Sequence, residues 1–292
     1  MFEGFDTFDI ALGEITLHGV RGGDGPPLLL LHGYPQTHAM WHKVAPDLAR
    51  DFTVIAPDLR GYGRSSKPVT DATHSPYSKR AMAADMVTLM AQFGFDQFDV
   101  GAHDRGARVA HRLGMDYPDA VRRMCLLDIA PTREMYASTD DEFARAYWHW
   151  FFLIQPHPFP ETMIAADPQA YLNHKTSSWG AGHSHFSDDA MADYSACWTP
   201  DTIHAACEDY RAAATLDIDH DNADGDAKLT CPLHVLWGQK GIIERCFDAL
   251  ALWRLRAETV TGHAVPTGHY IAEERPDLVL AEFRYFFDAC RK

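Results

Sequence analysis

The chain holds no run of about 18 or more uncharged apolar residues, so no membrane span is expected. It also lacks a basic N-terminal segment followed by an apolar stretch. Met1-Phe2-Glu3-Gly4-Phe5-Asp6 is acidic, and no secretory signal is read there. Cysteine is sparse: Cys125, Cys197, Cys207, Cys231, Cys246 and Cys290 are the six in the chain. None forms a CxxC pair or a zinc-like spacing with histidine, so free thiols in a reducing cytoplasm are expected. Positive charge is short, with 26 Lys and Arg against 41 Asp and Glu and a net charge of −15. That balance opposes binding to nucleic acid or to an anionic membrane. A small anionic substrate would need a local cationic site to overcome it. Repeats, low-complexity tracts and Gly/Ser linkers are absent. So is any G-x-S-x-G motif. The nearest segment, Gly63-Arg64-Ser65-Ser66-Lys67, lacks the closing glycine, which disfavours serine esterase chemistry.

What is present points to an α/β fold. The 292 residues suit one large domain, or one domain with an insertion, and 46% of them are hydrophobic, enough for a substantial core. Pro27 to Leu31, Phe52 to Ala56, Phe98 to Gly101, Met124 to Asp128 and Leu233 to Gly238 are short and mostly apolar. Without sustained polar alternation they read as strands covered on both faces. Helix-like segments such as Ser78 to Phe93 and Ala107 to Asp116 lie between them. The alternation predicts a mostly parallel central sheet flanked by helices. It breaks between about Arg133 and Asp217, where Trp148, Trp150, Trp179 and Trp198 occur without strand spacing. A helical cap over 134–216 is expected, with a core of 1–133 and 217–292. Such a cap would roof the C-terminal edge of the sheet, where parallel sheets bind ligands. A second helical layer without function would have the same composition.

One segment carries chemistry. After the Val100 strand comes Gly101-Ala102-His103-Asp104-Arg105-Gly106-Ala107-Arg108, a strand–small-x-nucleophile-x-Gly–helix layout. The elbow position holds Asp104. Asp is also a good helix N-cap, and that is the plainer reading of the residue taken alone. A carboxylate nucleophile suits attack on a saturated carbon, forming an ester that an activated water then hydrolyses. His269 comes late in the chain, beside Gly268, as the order nucleophile–acid–histidine requires. It is the candidate water-activating base among seventeen histidines. Asp128 follows the apolar run Cys125 to Leu127 and should emerge at the catalytic edge as its partner. The alternative is that it caps a turn ahead of Pro131. Arg105 and Arg108, three apart on a helix, share one side and form a fork suited to a carboxylate. Pairing of one arginine with Asp104 or a surface acid is the alternative.

These motifs make the chain similar to the haloacid dehalogenase branch of the α/β-hydrolases, closest to the fluoroacetate dehalogenases. The resemblance runs along nearly the full length. It rests on Leu31-His32-Gly33-Tyr34-Pro35-Gln36-Thr37, Asp58-Leu59-Arg60-Gly61-Tyr62-Gly63, the Asp104 elbow, His149-Trp150-Phe151-Phe152-Leu153-Ile154-Gln155-Pro156 and Gly268-His269-Tyr270. The first, second and last mark the wider superfamily. The elbow with its two arginines and the His149-Trp150 segment are more specific.

The resemblance implies hydrolysis of a carbon–halide bond in a 2-haloacid, with no metal or organic cofactor. It places the catalytic acid at Asp128, since Trp237-Gly238-Gln239-Lys240-Gly241 has glycine where many relatives carry it and Glu244 is out of register. It assigns the halide to His149, Trp150 and Tyr210, with Trp179 as a pocket wall. It assigns the oxyanion to the backbone N–H groups of Tyr34 and Arg105. Phe is frequent at the Tyr34 position in this family, so the extra hydroxyl bears on pocket size. Haloalkane dehalogenases and epoxide hydrolases typically carry Trp where this chain has Arg105. Resembling enzymes are often homodimers. Two other functions remain open: an epoxide hydrolase using Tyr210 with Tyr147 or Tyr194, and a non-catalytic receptor for small acids.

Overall fold

The computed structural model describes residues 1–179, 182 and 184–288. Eight strands form one sheet: β1 Asp6–Leu12, β2 Ile15–Gly22, β3 Pro27–Leu31, β4 Thr53–Pro57, β5 Phe98–His103, β6 Val121–Leu127, β7 Leu233–Gly238 and β8 Val260–Val265. Their spatial order is β1-β2-β4-β3-β5-β6-β7-β8. β1 and β2 are antiparallel, β2 joins β4 antiparallel, and every pairing from β4 to β8 is parallel. The five central runs read from sequence are all strands. Three strands escaped that reading. β1 is half exposed, and β8 (Val-Thr-Gly-His-Ala-Val) is an edge strand with little apolar weight. β2 carries His18 and Arg21 among its apolar residues. β6 also begins earlier than expected, because Arg122 and Arg123 lie against Asp99 of β5 at 3.1 and 3.4 Å.

Helices pack on the sheet. Helix α1, Lys79–Gln92, starts where the Ser78 hydroxyl accepts the Ala81 N–H. Helix α2, Asp104–Asp116, begins directly at the end of β5, three residues before the expected Ala107. Between β6 and β7 the described chain is helical and contains no strand. It includes α3 Trp148–Leu153, α4 Pro168–Ser177 and α5 Pro200–Ala214. The expected cap boundaries fall inside helices: 133/134 within Thr132–Ala137 and 216/217 within Leu216–Ala223. Helix α6, Pro276–Asp288, closes the described chain against the sheet. Cys125, Cys197, Cys207, Cys231 and Cys246 are free thiols, and Cys290 lies outside the described residues. No described helix is long and apolar enough to cross a membrane.

Candidate active site

Asp104 sits where β5 stops and α2 starts, at a φ of +46°. That left-handed conformation is unusual for a residue with a side chain and turns the chain sharply enough to project the carboxylate. The glycines around it are sterically required. A Cβ on Gly106 would come within 2.4 Å of the His32 carbonyl, and one on Gly33 within 2.5 Å of the Asp104 Cβ. The side chain is not a helix cap. The Tyr34 N–H donates to Asp104 Oδ1 at 2.9 Å, which leaves Oδ2 as the free oxygen. Burial works against the charge of this carboxylate. The fields of His269, His103 and Arg105, with the Tyr34 N–H, outweigh it and hold Asp104 below its ordinary range, so it is ionised at neutral pH.

Asp128 and His269 meet as the chain order requires. His269 Nδ1 lies 2.6 Å from Asp128 Oδ2, and Asp128 Oδ1 accepts the Gly238 N–H at 2.9 Å. Asp128 also has a positive φ, +50°, at the end of β6. Its alternative role as a turn cap ahead of Pro131 does not hold, since its carboxylate faces His269 and β7. With the Nδ1 proton directed at Asp128, His269 Nε2 is the basic nitrogen, and it has no protein partner. Burial pulls the imidazole down, but the hydrogen bond and charge of Asp128 and the charge of Asp104 raise it above its usual value. Glu244 is engaged elsewhere, accepting the Trp237 indole N–H.

Both arginines are buried in the first turns of α2, and each is partly committed to partners within the protein. Arg105 is clamped by Asp209, with Nε to Oδ2 at 2.8 Å and Nη2 to Oδ1 at 2.6 Å. Its partner is neither Asp104 nor a surface acid. The acid is instead a buried one on α5, which also binds Lys79 and, at 2.6 Å, the Tyr62 hydroxyl. Arg108 spends Nη1 on Thr132 Oγ1 at 2.7 Å and directs Nη2 to Met135 Sδ. Each guanidinium keeps one buried nitrogen without a protein partner, Nη1 of Arg105 and Nε of Arg108. Each also lies over an aromatic ring, Arg105 4.1 Å from Tyr210 and Arg108 4.6 Å from Trp150.

Those rings belong to the helical insertion, which covers the elbow. His149 stacks on Tyr34 at 6.0 Å and meets Tyr210 at 5.6 Å; Tyr210 meets Trp150 at 6.4 Å. Neither His149 nitrogen nor the Trp150 indole N–H has a hydrogen-bond partner in the protein. Burial, with the charges of Lys175, His269 and Arg105, holds His149 well below its ordinary value, so it is neutral and offers one N–H. Tyr210 is pushed up by burial and by Asp104, and stays a protonated donor. The Trp179 ring is 4.6 Å from His149 and 5.0 Å from His269, and its carbonyl accepts the His269 N–H. Beside it a cavity of about 130 Å³ opens between Tyr147 and the Asp128–His269 pair. The Tyr34 hydroxyl donates to the Tyr171 hydroxyl at 3.0 Å.

Three participants were missed from sequence. Asp209 stands one residue before Tyr210, in a segment where nothing in the sequence marks it as buried. His103 holds the His269 loop through its Nε2, 2.9 Å from the His269 carbonyl, and burial and His269 push it down to about 3. Lys175 on α4 is fully buried with its amine 3.6 Å from the Trp179 ring and no hydrogen-bond partner. Burial holds that amine far below its ordinary value. No pattern in a single sequence distinguishes this lysine from a solvated one.

Residues 26–275 match the profile of the alpha/beta hydrolase fold family. The chain belongs to that family. Within it, this α/β hydrolase is 42% identical to a fluoroacetate dehalogenase of Burkholderia sp, over 100% of this chain and 96% of the relative. It is 35% identical to a soluble epoxide hydrolase of Corynebacterium sp. (strain C12), over 94% of each. A solved structure from Nostoc sp PCC 7120, described as an alpha/beta hydrolase, superposes with a TM-score of 0.98 at 53% identity, covering 99% of this chain and 100% of that one.

Proposed function

We propose that this hydrolase dehalogenates small 2-haloacids, converting fluoroacetate or another haloacetate to glycolate and halide. The observation that carries the reading is the pair of buried, unsatisfied arginine N–H groups beside an ionised elbow aspartate. Arg105 Nη1 and Arg108 Nε hold the carboxylate of the acid, which places its α-carbon before Asp104. Asp104 Oδ2 attacks that carbon, the carbon–halogen bond breaks with its electron pair, and an ester forms on the enzyme. Neutral His149, Trp150 and Tyr210 donate hydrogen bonds to the departing halide, which matters most for fluoride. Water then adds to the ester carbonyl while His269 Nε2 takes its proton. The Tyr34 N–H, already on Oδ1, and the Arg105 N–H at the start of α2 stabilise the oxyanion. Collapse releases glycolate and restores Asp104. None of these steps calls for a metal or an organic cofactor.

The test is halide release from fluoro-, chloro- and bromoacetate, with styrene oxide assayed in parallel. Asp104→Asn should abolish release. A single turnover in oxygen-18 water should label Asp104 rather than glycolate. Full activity in a verified Asp104→Asn protein would falsify the assignment. The Corynebacterium relative keeps an epoxide hydrolase reading in view, since Tyr210 is a protonated donor near Asp104. Turnover of styrene oxide with none of fluoroacetate would establish it. Tyr194, weighed as a second epoxide donor, is committed to Glu273 at 2.7 Å.

A further inference from the structure

At the β8 edge of the sheet, three ligand-type side chains from three separate elements converge: His234 on β7, His263 on β8 and Glu282 on α6. Their ligand atoms all lie within 4.8 Å of one another. His234 Nε2 is 3.3 Å from Glu282 Oε2, and His263 Nε2 is 3.3 Å from Glu282 Oε1. The His234 side chain is only 7% exposed, and its Nε2 has no partner in the protein besides the Glu282 carboxylate. Its other nitrogen, Nδ1, is 2.7 Å from Thr261 Oγ1, and its ring stacks on Phe286 at 5.2 Å. Thr261 and Phe286 thus fix the ring with Nε2 turned to the carboxylate. This is how outer partners orient a histidine that binds a metal.

The two histidine–carboxylate separations are compatible with a shared ion. Two ligands held about 2.0–2.1 Å from a tetrahedral zinc ion lie about 3.3–3.4 Å apart. Each histidine faces a different oxygen of Glu282, so an ion between the two rings can take one carboxylate oxygen as its third protein ligand. Among the described residues Glu282 pairs with no lysine or arginine, so its charge is balanced by neither. Two other histidine–carboxylate groups lack these features. His38 Nδ1 is already on Asp58 at 2.8 Å, and Glu161 is taken by Arg211 at 2.7 Å. His263 is 52% exposed, which gives an ion a path in and leaves room for a water as a further ligand.

We propose that His234, His263 and Glu282 form a zinc site, separate from the Asp104 chemistry, that ties β7 and the edge strand β8 to the closing helix α6. Imidazole and carboxylate suit Zn²⁺, and the net charge of −15 favours a cation. Isothermal titration of tag-free, chelator-stripped protein with zinc chloride tests it, read beside the thermal unfolding midpoint. The wild type should bind one more zinc per chain than either His263→Ala or Glu282→Gln, and only the wild type should unfold at a higher temperature with zinc. Both substituted residues are partly exposed, so the variants should fold. Equal zinc stoichiometry in all three proteins, or no binding by the wild type, would overturn the proposal.

Discussion

A single imidazole sets the expected pH behaviour. His269 must be neutral to take a proton from water, and Asp128 raises its pKa above the ordinary histidine value. Below that raised pKa the base is protonated and ester hydrolysis stops, while Asp104, held low, stays ionised and can still attack. The acid limb of turnover therefore lies above the range of a free imidazole. Below it a halide burst without turnover, and an ester on Asp104 visible by intact mass spectrometry, are expected. Asp128→Asn removes the hydrogen bond and the charge that raise His269 and hold its tautomer. It should lower kcat by roughly 10³ to 10⁴ and move the acid limb down by the loss of that shift. A variant with unchanged kcat and an unchanged limb would show that Asp128 does not support His269.

At the scale of elements, the tie between α2 and α5 is a buried ionic group. Asp209 of α5 holds Arg105 of α2, Lys79 of α1 and the Tyr62 hydroxyl, all out of water. Removing one partner of a buried ion pair leaves an uncompensated charge and costs roughly 3–5 kcal/mol. Asp209→Asn should lower stability to urea by about that amount, and it should raise KM for the acid by freeing the guanidinium that the elbow depends on. Urea unfolding and KM measured on the same preparation check both; an unchanged KM would detach Asp209 from the site. The element pattern itself was largely legible. Central strands such as Leu28 to Leu31 announce themselves because both faces are buried, so every residue is apolar. β1 and β8 lie at the sheet edges, face solvent in part and carry no such run.

Over the whole molecule, net charge and site charge oppose each other. A chain at −15 repels an anion, whereas buried Arg105 and Arg108 attract it. Salt screens exposed, distant charges more than buried, close ones. Raising ionic strength with a non-halide salt should therefore lower KM for fluoroacetate and leave KM for an uncharged substrate unchanged. A rise in KM with salt, measured by steady-state fluoride release, would mean that the local arginines are themselves exposed to screening. The same global view explains the assembly of the site. Asp104, Asp128 and His269 are far apart in sequence but meet because they follow β5, β6 and β8, which run parallel in one sheet and end at the same edge.

The sequence by itself determined the elbow and singled out Asp104, His269 and the strand ending at Asp128 as candidates for nucleophile, base and acid. Those depend on local rules: a sharp turn needs glycine at fixed offsets, a buried parallel strand needs an apolar run, and chain order limits the partners. Only the tertiary structure decided which N–H of each arginine is left free, that Asp209 holds Arg105, and that Lys175 is buried. These depend on tertiary packing that no local pattern records: Asp209 is 104 residues from Arg105, and Thr132 is 24 from Arg108.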